Sequence, residues 1–219
     1  MKKFCVLFFC MFCALSSIAQ DRESQELEKY KPEIKEITDP DFEWSQFDNK
    51  QARCQFKKNI LELECLKEGM YACTSTELDF DVRNNNFILS FQIDVEKLED
   101  EHCVGIVYDF KNTNNFKALY FGKKQFTFVT IENGNKVVEK EGLYKYKLEK
   151  KKGLIITLKK KGRRIDFYLG SQYLPLTTLK QSEITHSNVG FYVENKTGIK
   201  ITGFGYCVIT RKNYEEMDS

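Results

Sequence analysis

Glu77, Asp79 and Asp81 are the residues of this chain best suited by type to acid–base chemistry, because a pair of carboxyl groups is what glycosidic hydrolysis requires. In an extended strand the three share one face, opposite Leu78 and Phe80. At a rise of about 3.3 Å per residue, Glu77 and Asp81 stand about 13 Å apart and neighbours two positions apart about 6.6 Å, whereas retaining hydrolysis needs carboxyls about 5–5.5 Å apart. Spaced like that, the acids read as a solvated face, and hydrolysis by Glu77 with Asp79 or Asp81 is the rival reading. His102 and His186 are the only histidines, and neither has sequence neighbours that complete a triad or a zinc site. Both read as surface side chains.

Aromatic side chains offer a second chemistry, stacking on sugar rings. Trp44, the only tryptophan, either plugs the end of a sandwich or stacks on a sugar, with plugging favoured. Tyr168 and Tyr192 alternate with Phe167 and Phe191, so they should point away from the core, either free to hold a glycan or covered by loops. Oxygen-bearing side chains gather at Asn84, Asn85 and Asn86, at Asp109, and at Asn112, Asn114 and Asn115. Turn closure accounts for them, since Asn tolerates positive φ and bonds its own backbone. Of the eight cysteines, Cys5, Cys10 and Cys13 fall in the N-terminal apolar run, leaving Cys54, Cys65, Cys73, Cys103 and Cys207. Five cannot all pair within one chain, and no Cys-x-x-Cys suggests zinc. They read as small buried hydrophobes, with Cys65 and Cys73 across Gly69 the pair best placed for a disulfide.

The elements that must position these residues are short strands. In Asn86 to Val95 the residues Phe87, Leu89, Phe91, Ile93 and Val95 recur every second position, which puts five apolar side chains on one face and Ser90, Gln92 and Asp94 on the other. With Cys103–Phe110 and Phe116–Gly122, this stretch predicts three successive antiparallel strands. Upstream, Ala52–Phe56 and Ile60–Leu66 predict a hairpin, and Tyr71–Phe80 a strand running into Asp81. Downstream, Asn133-Gly134 predicts a tight hairpin between Gln125–Glu132 and Lys136–Glu141. A further hairpin over 154–169 turns at Lys160–Arg163, and strands at Val189–Val193 and Ile199–Thr210 complete the set. About a dozen strands with no long helix predict an all-β, two-sheet antiparallel sandwich.

Composition bounds the partners. Charged residues make up 30% of 219 residues, yet the net charge is only +2, so no one-signed field favours nucleic acid. The basic run 145–152 contains Glu149 and reads as a solvated edge. Lys2-Lys3, an apolar run to Leu15 and small residues to Ala19 form a secretory signal peptide over 1–19, too short to span a bilayer. No later stretch approaches a spanning length, so a periplasmic or extracellular protein is expected. Residues 20–41 read as a charged lead-in, 42–210 as one domain, and 211–219 as a polar tail.

The order Gly105-Ile-Val-Tyr-Asp-Phe110, Asn115-Phe-Lys-Ala-Leu-Tyr-Phe121, Leu154-Ile-Ile-Thr-Leu158, Ile165-Asp-Phe-Tyr-Leu169 and Val189-Gly-Phe-Tyr-Val193 resembles the concanavalin A-like lectin/glucanase jelly roll. It is similar in particular to secreted bacterial domains of the laminin-G and keto-disaccharide hydrolase-like kind, with Gly170-Ser171 where those carry Asn-Gly. The resemblance implies a jelly-roll sandwich over 42–210. It also implies two sites: the Glu-x-Asp-x-x-Glu catalytic strand of the glucanases, which Glu77–Asp81 matches one residue short and with Asp last, and calcium near strand ends, with Asp109, Asn112 and Asn114 as candidates. Those motifs are scaffold, so function must come from the site. The expectation is a non-catalytic module binding glycan, with no obligatory cofactor; the alternatives are a glycoside hydrolase and a structural domain with an envelope protein as partner.

Overall fold

Alternating apolar residues recur through nearly every predicted segment, and a chain of that pattern buries its apolar faces by stacking two sheets. The computed structural model describes residues 33–95, 103–144, 153–170, 172 and 174–209. The expected signal peptide over 1–19, His102, the basic run 145–152 and the expected polar tail lie outside these residues. Fifteen strands follow in chain order: β1 (Lys35–Glu36), β2 (Phe47–Asp48), β3 (Ala52–Lys57), β4 (Ile60–Cys65), β5 (Tyr71–Glu77), β6 (Asn86–Asp94), β7 (Val104–Asn112), β8 (Asn115–Phe121), β9 (Gln125–Glu132), β10 (Asn135–Leu143), β11 (Leu154–Lys161), β12 (Arg164–Leu169), β13 (Thr177–Leu179), β14 (Asn188–Glu194) and β15 (Gly198–Ile209). Among the described residues there is no helix long and apolar enough to cross a membrane.

One sheet runs β13-β12-β11-β6-β15-β4-β3-β2 with β1 added on β15, and the other β10-β9-β8-β7-β14-β5. The architecture is a two-sheet antiparallel jelly-roll sandwich. Phe87, Leu89, Phe91 and Ile93 of β6 are fully buried between the sheets. Phe91 meets Phe191 of the opposite sheet edge-on at 5.5 Å and Phe204 at 5.1 Å. Gly190 lets β14 approach β5, since a Cβ there would lie 1.8 Å from the Thr74 carbonyl oxygen. Asn133 and Gly134, both at positive φ, close the β9–β10 hairpin as the sequence predicts.

Two expectations change. The three-stranded meander does not form: β6 pairs with β11 and β15, whereas β7 pairs with β8 and β14 in the other sheet. Alternation tells which face of a strand is buried, and both β6 and β7 bury theirs in the same core, but it does not name the neighbour. The packed unit also begins before Phe42. β1 pairs with Phe204 and Gly203, and Ile37 is 1% exposed in the core.

Phe91→Ala should cost about 3–5 kcal/mol, since the ring's neighbours belong to two rigid sheets and cannot collapse into the gap. Gln92→Ala, one position along and outward, should cost no more than about 0.5 kcal/mol. Urea melts of the two variants check this, and equal losses would mean that the phase of β6 is wrong.

Candidate functional site

Asp109, near the end of β7, is a heavily bonded side chain. The β7–β8 register shifts between Tyr108 and Asn112, and Asp109 sits in that irregularity at φ 51°, a left-handed conformation that Asp adopts more readily than most residues. Only 9% exposed, its Oδ1 accepts from the Thr185 amide at 2.7 Å, the Thr185 hydroxyl at 3.0 Å and the His186 amide at 2.9 Å, with His186 Nδ1 at 3.1 Å. Its Oδ2 pairs with Lys117 Nζ at 2.9 Å. Burial alone would raise the carboxyl pKa, but these amides and the ammonium outweigh it and hold the pKa below the usual value. Lys117 also donates to the Glu183 carbonyl at 2.8 Å. One carboxylate thus fixes the 183–186 segment against the six-stranded sheet.

Beside that segment, at one end of the sandwich, lies a cavity of about 470 Å³ lined from three stretches of chain: Arg83, Asn84 and Asn86; Lys160, Gly162 and Arg163; and residues 182–185. Lys160 is its unexpected member. It continues the inward phase of Leu154, Ile156 and Leu158 on β11, pairing with Phe87 and Ile165, and is 4% exposed. Its ammonium donates to the carbonyls of Arg83 at 3.1 Å and Asn85 at 2.9 Å and lies 5.7 Å from the Phe87 ring. Burial lowers its pKa. Arg83 Nε donates to the Thr185 carbonyl at 3.2 Å, and Arg163 pairs with Glu183 at 3.0 Å. Asn86 Oδ1 accepts from the Gly162 amide at 2.7 Å. Three of the lining side chains, Lys160, Arg83 and Asn86, are held by the backbone of another wall, which ties the three stretches together.

The acids of the 77–81 segment are not brought together. β5 ends at Glu77, and the three exposed carboxylates take separate partners: Ser187 Oγ for Glu77, the Tyr206 hydroxyl for Asp79, and the Arg83 and Asn84 amides with the Asn84 side chain for Asp81. Asp81, its pKa lowered chiefly by the Asn84 side chain, shapes the loop that forms one wall of the cavity. Asn112 closes its own turn, accepting from the Asn114 amide at 2.9 Å and the Asn115 side chain at 3.1 Å, while Asp109 is occupied by Lys117 and the 185–186 segment. These candidates for calcium therefore face different partners, and no group of three His, Cys, Asp or Glu among the described residues converges as a metal cage.

The aromatic candidates are covered. Trp44, 6% exposed, packs on Phe191 at 5.3 Å and Phe204 at 5.7 Å, as a plug. Tyr168, on the outer face of the nine-stranded sheet, is 2% exposed. Tyr192 does point away from the main core, but it is fully buried, sandwiched by Tyr120 at 5.4 Å and Tyr71 at 5.8 Å. Lys136 on β10 lies 4.6 Å from the Tyr120 ring and pairs with Glu194 on β14 at 2.7 Å. Those strands are four positions apart, about 19 Å in a flat sheet, so the sheet curls and this ion pair closes its concave face over the tyrosines. Cys65 and Cys73 are both free and lie on opposite sides of the six-stranded sheet, in the main core and in the outer tyrosine cluster. The predicted disulfide does not form, because Cys65 on β4 points from the nine-stranded sheet into the main core whereas Cys73 on β5 points out of the far face of the six-stranded sheet.

Asp109→Asn keeps the backbone conformation but removes the charge and turns an NH2 toward either Lys117 or the two amides, and should cost about 3–5 kcal/mol at neutral pH. Because the native pKa is depressed, the carboxylate's contribution is complete above the ordinary Asp range near pH 4 and fades as pH falls through the lower native value. The gap between wild type and Asp109→Asn should close in acid, and denaturant titrations showing a gap constant with pH would contradict this. Burial pushes the thiols of Cys54 and Cys103 up to about 11 and that of Cys73 to about 12. An aromatic disulfide reagent at neutral pH should modify these three slowly in the native protein and rapidly in urea, and fast native modification of Cys73 would show that the tyrosine face opens.

Neither a family model nor a curated protein matches this sequence. Solved structures do match the fold. The carbohydrate-binding module CBM66 from Bacillus subtilis superposes with a TM-score of 0.54 at 13% identity, over 74% of this chain and 94% of that one. The xylan β-1,4-xylosidase from Bacillus halodurans C-125 gives 0.54 at 13% identity, over 81% of this chain but only 39% of the enzyme. A protein of unknown function with a galectin-like fold from Bacillus subtilis gives 0.52 at 9% identity, over 78% and 91%. At such identities the likeness is one of fold, and the fold they share with this chain is the jelly-roll sandwich.

Proposed function

We propose that the domain binds carbohydrate in the cavity at the end of the sandwich and does not hydrolyse it. The observation that carries this reading is the lining: Asn84, Asn86, Arg83, Lys160, Ser182 and Thr185 offer polar groups held in place, at a volume within the roughly 300–1,000 Å³ usual for small-molecule sites. Sugars are recognised by such fixed donors and acceptors, since each hydroxyl both gives and takes a hydrogen bond. Hydrolysis needs two carboxyl groups flanking the scissile bond, and the lining has one, Glu183, which is paired to Arg163. A carbohydrate-binding module among the structures of the same fold supports the reading. Outward tyrosine stacking does not contribute to it, because the tyrosine face is closed.

Export belongs to the same proposal. It rests on the signal-peptide pattern of 1–19 alone, and implies a glycan met outside the cytoplasm.

A glycan array combined with a reducing-sugar assay tests the proposal. Retention on a defined set of glycans is expected without release of reducing ends, and Ser182→Ala should weaken retention several-fold, up to about tenfold, through loss of a hydrogen bond to the sugar. Turnover of any bound glycan, abolished by Glu77→Gln at unchanged melting temperature, would instead establish the hydrolase.

A further inference from the structure

Resting on the glycan-binding reading of this cavity, we propose that its ligand is an acidic sugar, with a uronic acid carboxylate seated between Arg83 and Lys160. The lining carries three cations, Arg83, Lys160 and Arg163, against one acid, Glu183, and that acid is committed to Arg163 at 3.0 Å. Lys160 is 4% exposed and, among the described residues, hydrogen-bonds only to two neutral carbonyls. An ammonium has three donors, so one N–H lacks a protein acceptor. A charge buried with no ion-pair partner is costly, and an incoming anion supplies what is missing.

Arg83 is in a similar position. Its Nε donates to the Thr185 carbonyl at 3.2 Å, and the guanidinium forms no ion pair with any of the described residues. A guanidinium presents five N–H donors in a planar fork that matches a carboxylate, so four donors stay available. The nearest loop acid, Asp81, is held by the amides of Arg83 and Asn84 and by the Asn84 side chain. It attracts both cations at a distance without capping either. Arg83 as fork and Lys160 as point charge would read the carboxylate, leaving Asn84, Asn86 and Ser182 for ring hydroxyls.

Calorimetric titration of the purified protein with a galacturonate oligomer, its carboxyl-reduced neutral counterpart and a sulfated oligosaccharide tests the assignment, at low ionic strength and again at about 0.5 M salt. The galacturonate should bind at least about tenfold more tightly than the neutral oligomer, with the advantage shrinking in salt. Arg83→Gln and Lys160→Met should each remove that advantage; Arg83 lies in an exposed loop, so its variant should melt as wild type does. Equal affinity for acidic and neutral oligomers, unchanged in Arg83→Gln, would overturn the acidic assignment and leave glycan binding standing. Binding confined to the sulfated oligosaccharide would overturn the carboxylate. If no glycan of any kind binds here or on the array, both this inference and the reading beneath it fall.

Discussion

The site depends on how one carboxylate is satisfied. Asp109 leaves the regular ladder of β7 at positive φ and directs both oxygens at partners from elsewhere in the chain: Lys117 on β8 and the backbone of Thr185 and His186 just before β14. Taking that carboxylate out of water costs several kcal/mol unless it is fully bonded, so the 183–186 segment is held where the bonds require it. Through Lys117 and the Glu183 carbonyl, and through Arg83 and the Thr185 carbonyl, the constraint extends to two walls of the cavity. The cavity is thus a consequence of electrostatic satisfaction at a strand irregularity.

Polar side chains occupy that end of the sandwich, where the apolar run of inward positions on β11 stops at Leu158. Lys160 marks the boundary, occupying the inward register position one step beyond Leu158. The opposite solution appears on the concave face of the six-stranded sheet, where Tyr71, Tyr120 and Tyr192 bury one another under the Lys136–Glu194 ion pair. An open aromatic platform would favour stacking along an extended glycan. With that face closed, the polar cavity is the proposed place of recognition.

Much of the fold was legible from residues. Alternation in Phe87–Ile93 correctly placed β6, and Asn133-Gly134 correctly placed the tight hairpin, because local sterics decide both. Pairing between distant strands was not legible: nothing in β6 or β7 records that they enter different sheets. The cavity was half legible. The period of two through Leu154, Ile156 and Leu158 points Lys160 inward, but a lysine beside a turn signal reads as a turn residue. Asp109, with its partners 76 and 77 positions away, left no local trace, and neither did the curl that covers Tyr192. The acids at 77–81, read as a solvated face, are exposed, but they do not share one strand face because β5 ends where their alternation begins.

The central claim is that ligand meets this chain at the cavity rather than on the concave face. Amide chemical-shift mapping during titration with an oligouronide tests it directly. Perturbations are expected to cluster at residues 83–86, 160–163 and 182–187, with Val107, Ala118 and Tyr192 unmoved. Shifts concentrated at those three residues and their neighbours on β7, β8 and β14, with the cavity amides silent, would contradict it.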